Sequence, residues 1–148
     1  MNNSLKIFLK SYIQAIGNEG FEFIAIVDTS GSIDQSRMDR VLAEIKQIGL
    51  TFQIPILVIY VDYTYQGCQL IEVGESVELF PVGGGGTNYK PGFAYIEDQH
   101  FRPDIVLYFT DGLCAHFPEK PNYTVVWVQT SEEYFNPPFG SQVQMSNN

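Results

Sequence analysis

The chain has 148 residues, 45% of them hydrophobic and 17% charged, a balance that excludes an intrinsically disordered protein and allows one well-filled core. Seventeen acidic residues stand against eight basic ones, for a formal net charge of -9. That argues against a phosphate-gripping nucleic-acid surface, which needs clustered Lys and Arg, and it suits a cation site or a basic partner.

Near the start, Leu5, Phe8, Leu9, Tyr12, Ile13 and Ile16 recur at helical spacing, with Lys6, Lys10 and Gln14 between them. This pattern predicts an amphipathic helix closed near Gly17. Its apolar face is expected to pack on the domain's own sheet, with docking to another protein as the alternative. Lys6 and Lys10 interrupt the apolar patch and no cleavage region follows, so no secretory signal is read here. No apolar run approaches a membrane span. The expectation is a soluble cytoplasmic protein in which Cys68 and Cys114, at no metal-ligand spacing, are free thiols.

Residues 21–27 are apolar without alternation and rich in β-branched and aromatic types, which predicts a central strand buried on both faces. A helix is expected from an N-cap at Ser36, through Met38, Val41, Leu42, Ile45 and Ile48, to a stop at Gly49. Residues 54–61 read as a second strand, with Pro55 near its start. Residues 68–73 read as a third, joined by a short link that predicts an antiparallel edge. Residues 77–80 read as an extended stretch that adds a short strand. Asn88 is expected to cap a short helix with Pro91 in its first turn, running to about Gln99. Residues 105–109 and 124–128 complete the buried strands, and residues 142–145 form a small edge strand. Strands alternating with helices predict a three-layer, Rossmann-like α/β fold with a mainly parallel sheet and helices on both faces. One domain is expected over residues 1–148, with residues 1–17 as a leading helix and 21–145 as the core.

The chemistry gathers at three places. Asp28-Thr29-Ser30-Gly31-Ser32 follows the first strand. Gly83-Gly84-Gly85-Gly86-Thr87-Asn88 forms a loop, and Thr110-Asp111-Gly112 follows the fourth clear strand. Ligands of such sheets sit beyond the carboxyl ends of the strands at the switch point. If the strands ending at Asp28 and Asp111 are neighbours there, Asp28, Ser30, Ser32, Thr87 and Asp111 converge. An all-oxygen set with two carboxylates suits a hard divalent cation, Mg2+ above all, or Mn2+.

Other readings compete. Asp28 to Ser32 could be an Asx-type turn capping the next helix. The glycine run lacks the lysine of a phosphate-binding P-loop. A Mg2+-dependent phosphohydrolase built on Asp28 would want a second Asp two residues on, where Ser30 stands. A serine nucleophile would need a base, and of the two histidines, His100 and His116, the latter lies shortly after Asp111 near the same crevice, with a plain loop histidine as the other reading. Asp62 reads as a rim acid or a turn residue. Of Tyr60, Tyr63 and Tyr65, one is expected in the core and the others at the surface, and Trp127 is expected in the core. Glu132 and Glu133 read as solvated charge, with docking into a neighbouring copy's metal site as a further alternative.

The chain resembles the von Willebrand factor A (VWA) fold and its metal-ion-dependent adhesion site. Asp28-Thr29-Ser30-Gly31-Ser32 fits the D-x-S-x-S element, Thr87 the separate threonine and Asp111 the final aspartate. More narrowly it resembles the bacterial VWA-like domain that is paired with a metallopeptidase-like domain, through residues 28–33, 84–91, 108–112 and 138–140. The resemblance implies a binding module and not an enzyme. Ser30, Ser32 and Thr87 would coordinate Mg2+, Asp28 and Asp111 would hold it through waters, and a partner's Asp or Glu would take the open position. Implied partners are AAA+ ATPases or a metallopeptidase-like protein, and none of the companion domain is expected within these residues. A structural or oligomerising domain with a non-functional metal site is the remaining alternative.

Overall fold

The computed structural model describes residues 2–16, 22–31, 33–75 and 84–145. Among the described residues nine elements follow in order: α1 (Asn3–Ile16), β1 (Phe23–Asp28), α2 (Gln35–Phe52), β2 (Ile56–Val61), β3 (Tyr65–Ile71), α3 (Lys90–Asp98), β4 (Ile105–Thr110), β5 (Thr124–Gln129) and β6 (Ser141–Gln144). The strands form one sheet in the order β3-β2-β1-β4-β5-β6. All pairings are parallel except β2 with β3, which is antiparallel and closes one edge, as the short link after β2 predicts. The three-layer Rossmann-like expectation is met. The expected strand at residues 77–80 lies outside the described residues.

Alternation along β1 divides the two layers. Phe23, Ala25 and Val27 face one way, into a core with Leu5 and Leu9 of α1 and Met38, Val41, Leu42, Ile45 and Ile48 of α2. Ile24 and Ile26 face the other way, into a core with Tyr89, Phe93 and Ile96 around α3. All six β1 residues are buried, which is why the strand shows no polar alternation in sequence. The leading helix therefore packs on its own domain. Asn2 adds hydrogen bonds to Glu44 (2.7 Å) and to the Gln144 carbonyl (3.1 Å).

Three helix boundaries differ from expectation. The N-cap of α2 is Asp34, not Ser36, and its carboxylate accepts the Arg37 N–H at 2.8 Å. Gly49 does not stop the helix. The chain runs on to Phe52 and is capped by Gln53 in the left-handed region (φ 54), whose N–H returns to the Gly49 carbonyl. For α3 the structural N-cap is Tyr89, with no side-chain capping bond, and Asn88 instead accepts the Lys90 N–H at 2.9 Å. Tyr60 and Trp127 are core, while Tyr63 and Tyr65 are exposed, as expected. Cys68 and Cys114 are free and half-buried. Among the described residues, no helix is long and apolar enough to cross a membrane.

Candidate metal centre

The switch point falls between β1 and β4, which pair directly and in parallel from Phe23 opposite Ile105 to Val27 opposite Phe109. Asp28 ends β1, and Asp111 follows Thr110, the last residue of β4. Both carboxylates are buried, at 2% and 0% exposure. Ser30, 3% exposed, donates its N–H to Asp28 Oδ1 at 2.9 Å, so the residues after β1 turn back on the carboxylate. Asp111 Oδ1 accepts the Leu113 N–H at 3.0 Å, and its carbonyl accepts the Ser131 hydroxyl at 2.6 Å.

The glycine loop is laced onto this turn by backbone bonds. Gly84 donates to the Thr29 carbonyl and Gly31 donates to the Gly85 carbonyl, both at 3.0 Å. A Cβ on Gly31 would lie 3.0 Å from the Gly84 carbonyl oxygen, and one on Gly85 would lie 2.8 Å from Asp62 Oδ2. The glycines are therefore needed for close approach of two backbones and a carboxylate. From this anchored stretch the chain rises to Thr87, half-buried, whose carbonyl accepts the Cys114 thiol at 3.3 Å. The structure thus brings Asp28, Ser30 and Asp111 together and lays the loop carrying Thr87 against them. Ser32 and Gly83 lie outside the described residues.

The electrostatics of Asp28 are unusual for a turn-capping residue. Burial is the largest influence and raises its pKa, and the nearby Asp111 charge raises it further. Hydrogen bonds from Ser30 and Thr110 act against them. The net result is a carboxyl pushed from 3.8 up to about 6. A divalent cation in the crevice would remove both penalties, because it replaces lost hydration and screens the two carboxylates from each other. Among the described residues no group of three or more His, Cys, Asp or Glu side chains is assembled for a metal. The residues that could hold an ion are two carboxylates with hydroxyls nearby, an all-oxygen chemistry that would fit Mg2+ or Mn2+ better than a softer ion.

Sequence reasoning missed Thr29, Thr110 and Tyr89. The Thr29 hydroxyl donates to the Val61 carbonyl at 2.8 Å and fixes the turn to the end of β2. The Thr110 hydroxyl, fully buried, lies 3.2 Å from Asp28 Oδ2 and 2.8 Å from the Tyr89 hydroxyl, and it accepts the Gly112 N–H at 3.1 Å. Tyr89 is itself fully buried, and burial is the chief reason its phenol is pushed well above the usual range. A threonine directly before Asp111 was the available signal for Thr110. Tyr89 lies within the family-like stretch 84–91, but nothing there separates its hydroxyl from that of any core tyrosine.

The remaining candidates fall at the rim or outside it. Asp62 Oδ1 accepts the Thr64 N–H at 3.0 Å and the Gln66 amide at 2.9 Å, the pattern of a turn-holding residue. His116 is exposed, and its carbonyl accepts the Tyr89 N–H at 3.2 Å. Glu132 and Glu133 are exposed beyond β5.

This architecture agrees with the comparisons. An uncharacterized protein of Thermotoga maritima is 31% identical over 88 residues, 60% of this chain and 22% of that protein. The chain therefore spans under a quarter of the length of this relative. The family model described as VWA-like domain (DUF2201) matches residues 23–146, from the start of β1 to just beyond β6. With the buried Asp28 and Asp111 at the switch point of its sheet, this chain belongs to the VWA-like domain family DUF2201.

Proposed function

We propose that this chain is a metal-dependent protein-interaction module. Its membership of the VWA-like family supports an interaction role. The observation that carries the metal reading is the pairing of two buried carboxylates, Asp28 and Asp111, at the ends of adjacent parallel strands. Two such charges side by side are costly unless a cation joins them. In this reading Ser30, Ser32 and Thr87 supply hydroxyl oxygens, and Asp28 and Asp111 supply the negative charge. Bound Mg2+, or Mn2+ in its place, would supply a positive centre able to accept one further oxygen ligand. With mostly neutral hydroxyls around it, that centre favours an Asp or Glu carboxylate from a protein partner.

The partner reading is docking or assembly inside the cell, with an AAA+ ATPase or a metallopeptidase-like protein as the class implied by family resemblance. We assign no catalytic residue. Ser30 stands where a phosphohydrolase would place its second Asp, and the exposed His116 belongs to a different loop from the serines.

Titration calorimetry of Mg2+ and Mn2+ into chelator-treated protein tests the site. Wild type is expected to bind one ion, Asp28→Ala none, and Thr87→Ala one ion more weakly. Added acetate is expected to tighten binding by filling the partner's position. A folded wild type that binds neither ion, with or without acetate, would sink the proposal.

A further inference from the structure

We infer that Tyr89 is a positioning residue for this crevice, acting through the Thr110 hydroxyl to hold the carboxylate of Asp28. The inference rests on the metal reading above for its functional consequence, but its geometric basis stands apart from any ion. Three polar atoms surround Thr110 Oγ1: Asp28 Oδ2 at 3.2 Å, the Tyr89 hydroxyl at 2.8 Å and the Gly112 nitrogen at 3.1 Å. Threonine carries one hydroxyl proton and two lone pairs. Gly112 N–H can only donate, and an ionised Asp28 can only accept. The single Thr110 proton therefore goes to Asp28, and Tyr89 must donate its own to Thr110. The chain of donors is Tyr89 to Thr110 to Asp28 Oδ2, with the Ser30 N–H on Asp28 Oδ1. All of these bonds point toward the carboxylate, so each strengthens the next in the buried interior.

The position of Tyr89 gives the relay a second consequence. It stands two residues after Thr87 and directly before α3, and its N–H is tied to the His116 carbonyl at 3.2 Å. Its ring is held by Tyr108, Phe117 and Trp127, with centroids 5.2, 4.9 and 5.1 Å away. One rigid aromatic residue thus joins the end of the Thr87 loop to the ends of β1 and β4. A phenylalanine would serve the ring packing equally well. The hydroxyl is needed only for the relay.

The test is a double-mutant cycle read by Mn2+ affinity, with Tyr89→Phe, Thr110→Val and the double variant, and with melting temperature as a control for folding. Tyr89→Phe is expected to weaken Mn2+ binding by about threefold to tenfold, below the range typical of groups that touch a ligand directly. Thr110→Val is expected to weaken it by about tenfold or more, and the double variant by no more than Thr110→Val alone. Thr110→Ser keeps the hydroxyl and should retain wild-type affinity while remaining sensitive to Tyr89→Phe. Wild-type affinity in Tyr89→Phe, or simple additivity in the double variant, would overturn the inference. A crystal structure of metal-free Tyr89→Phe decides it without any ion. The Thr110–Asp28 contact is expected to open beyond hydrogen-bond distance, and an unchanged contact would overturn the relay. If wild type binds no Mn2+, the metal reading fails while this crystallographic result still decides the role of Tyr89.

Discussion

Asp28 and Asp62 end two neighbouring stretches of the same sheet, one at the close of β1 and the other just past β2, and both are buried. Their carboxyls are driven in opposite directions. At Asp62 desolvation raises the pKa, but donors from Thr64, Gln66, Gly85 and Tyr63 outweigh it and hold the carboxyl below its ordinary 3.8. At Asp28 burial is stronger, Asp111 adds like charge, and Ser30 and Thr110 do not compensate, so the carboxyl rises to about 6. A buried acid that serves the fold collects enough donors to be comfortable as an anion. Asp28 is left with charge that the surrounding residues do not settle, and in the metal reading an ion settles it.

The largest test of this contrast is Asp28→Asn in metal-free protein. The folded state takes up a proton on Asp28 at about pH 6, before the unfolded chain does near 3.8, so the metal-free fold loses stability as pH rises through that window. At pH 7 the full penalty is present, with a ceiling of about 3 kcal/mol. Asparagine removes the charge, although its amide meets the Thr110 hydroxyl as a second donor. The variant is therefore expected to be about 1–3 kcal/mol more stable than wild type at pH 7 and no more stable at pH 4. Urea midpoints from pH 4 to 7 measure this, and an Asp28→Asn variant weaker than wild type at pH 7 would erase the contrast.

Asp62→Ala should act in the opposite sense. It strips acceptors from the Thr64 N–H and the Gln66 amide, and a loss of about 1–3 kcal/mol at pH 7 is expected. Because the folded carboxyl lies below 3.8, its contribution is present above that pH and fades as pH falls through the lower folded value. The gap between wild type and variant should narrow in acid, where the Asp28 gap has already closed. Gly85→Ala sharpens the same point. Its Cβ would sit 2.8 Å from Asp62 Oδ2, so it should cost about 1–2 kcal/mol in wild type and less in an Asp62→Ala background. Additive costs would mean that Asp62 is not what confines the loop.

Much of this was legible in sequence for a definite reason. Strands β1 and β4 are buried on both faces, so their apolar runs are unbroken and the acids that follow mark their ends. The parallel order and the crevice then follow from alternation of strands with helices. What stayed hidden depends on partners far apart in the chain. Asp62 reads as a turn residue because it is one, and nothing in residues 62–66 announces the grip on Gly85. Asp34, and not Ser36, caps α2, because both residue types can cap and spacing alone does not choose between them. The role of Tyr89 is hidden because its hydroxyl matters only once β4 delivers Thr110 beside it.

The smallest expected effect belongs to Thr29, which bridges the two ends being compared. Its hydroxyl donates to the Val61 carbonyl at 2.8 Å, but its own N–H reaches the same oxygen at 2.7 Å. Thr29→Val replaces the hydroxyl with a methyl of similar size and leaves that carbonyl satisfied. No buried acceptor is orphaned, so the loss should be about 0.5–1 kcal/mol by urea unfolding, with Mn2+ affinity unchanged. A larger loss, or a changed affinity, would show that the ends of β1 and β2 are coupled through this hydroxyl. The settled carboxylate at Asp62 and the unsettled one at Asp28 would then belong to a single polar network, and their opposite shifts would need to be explained together.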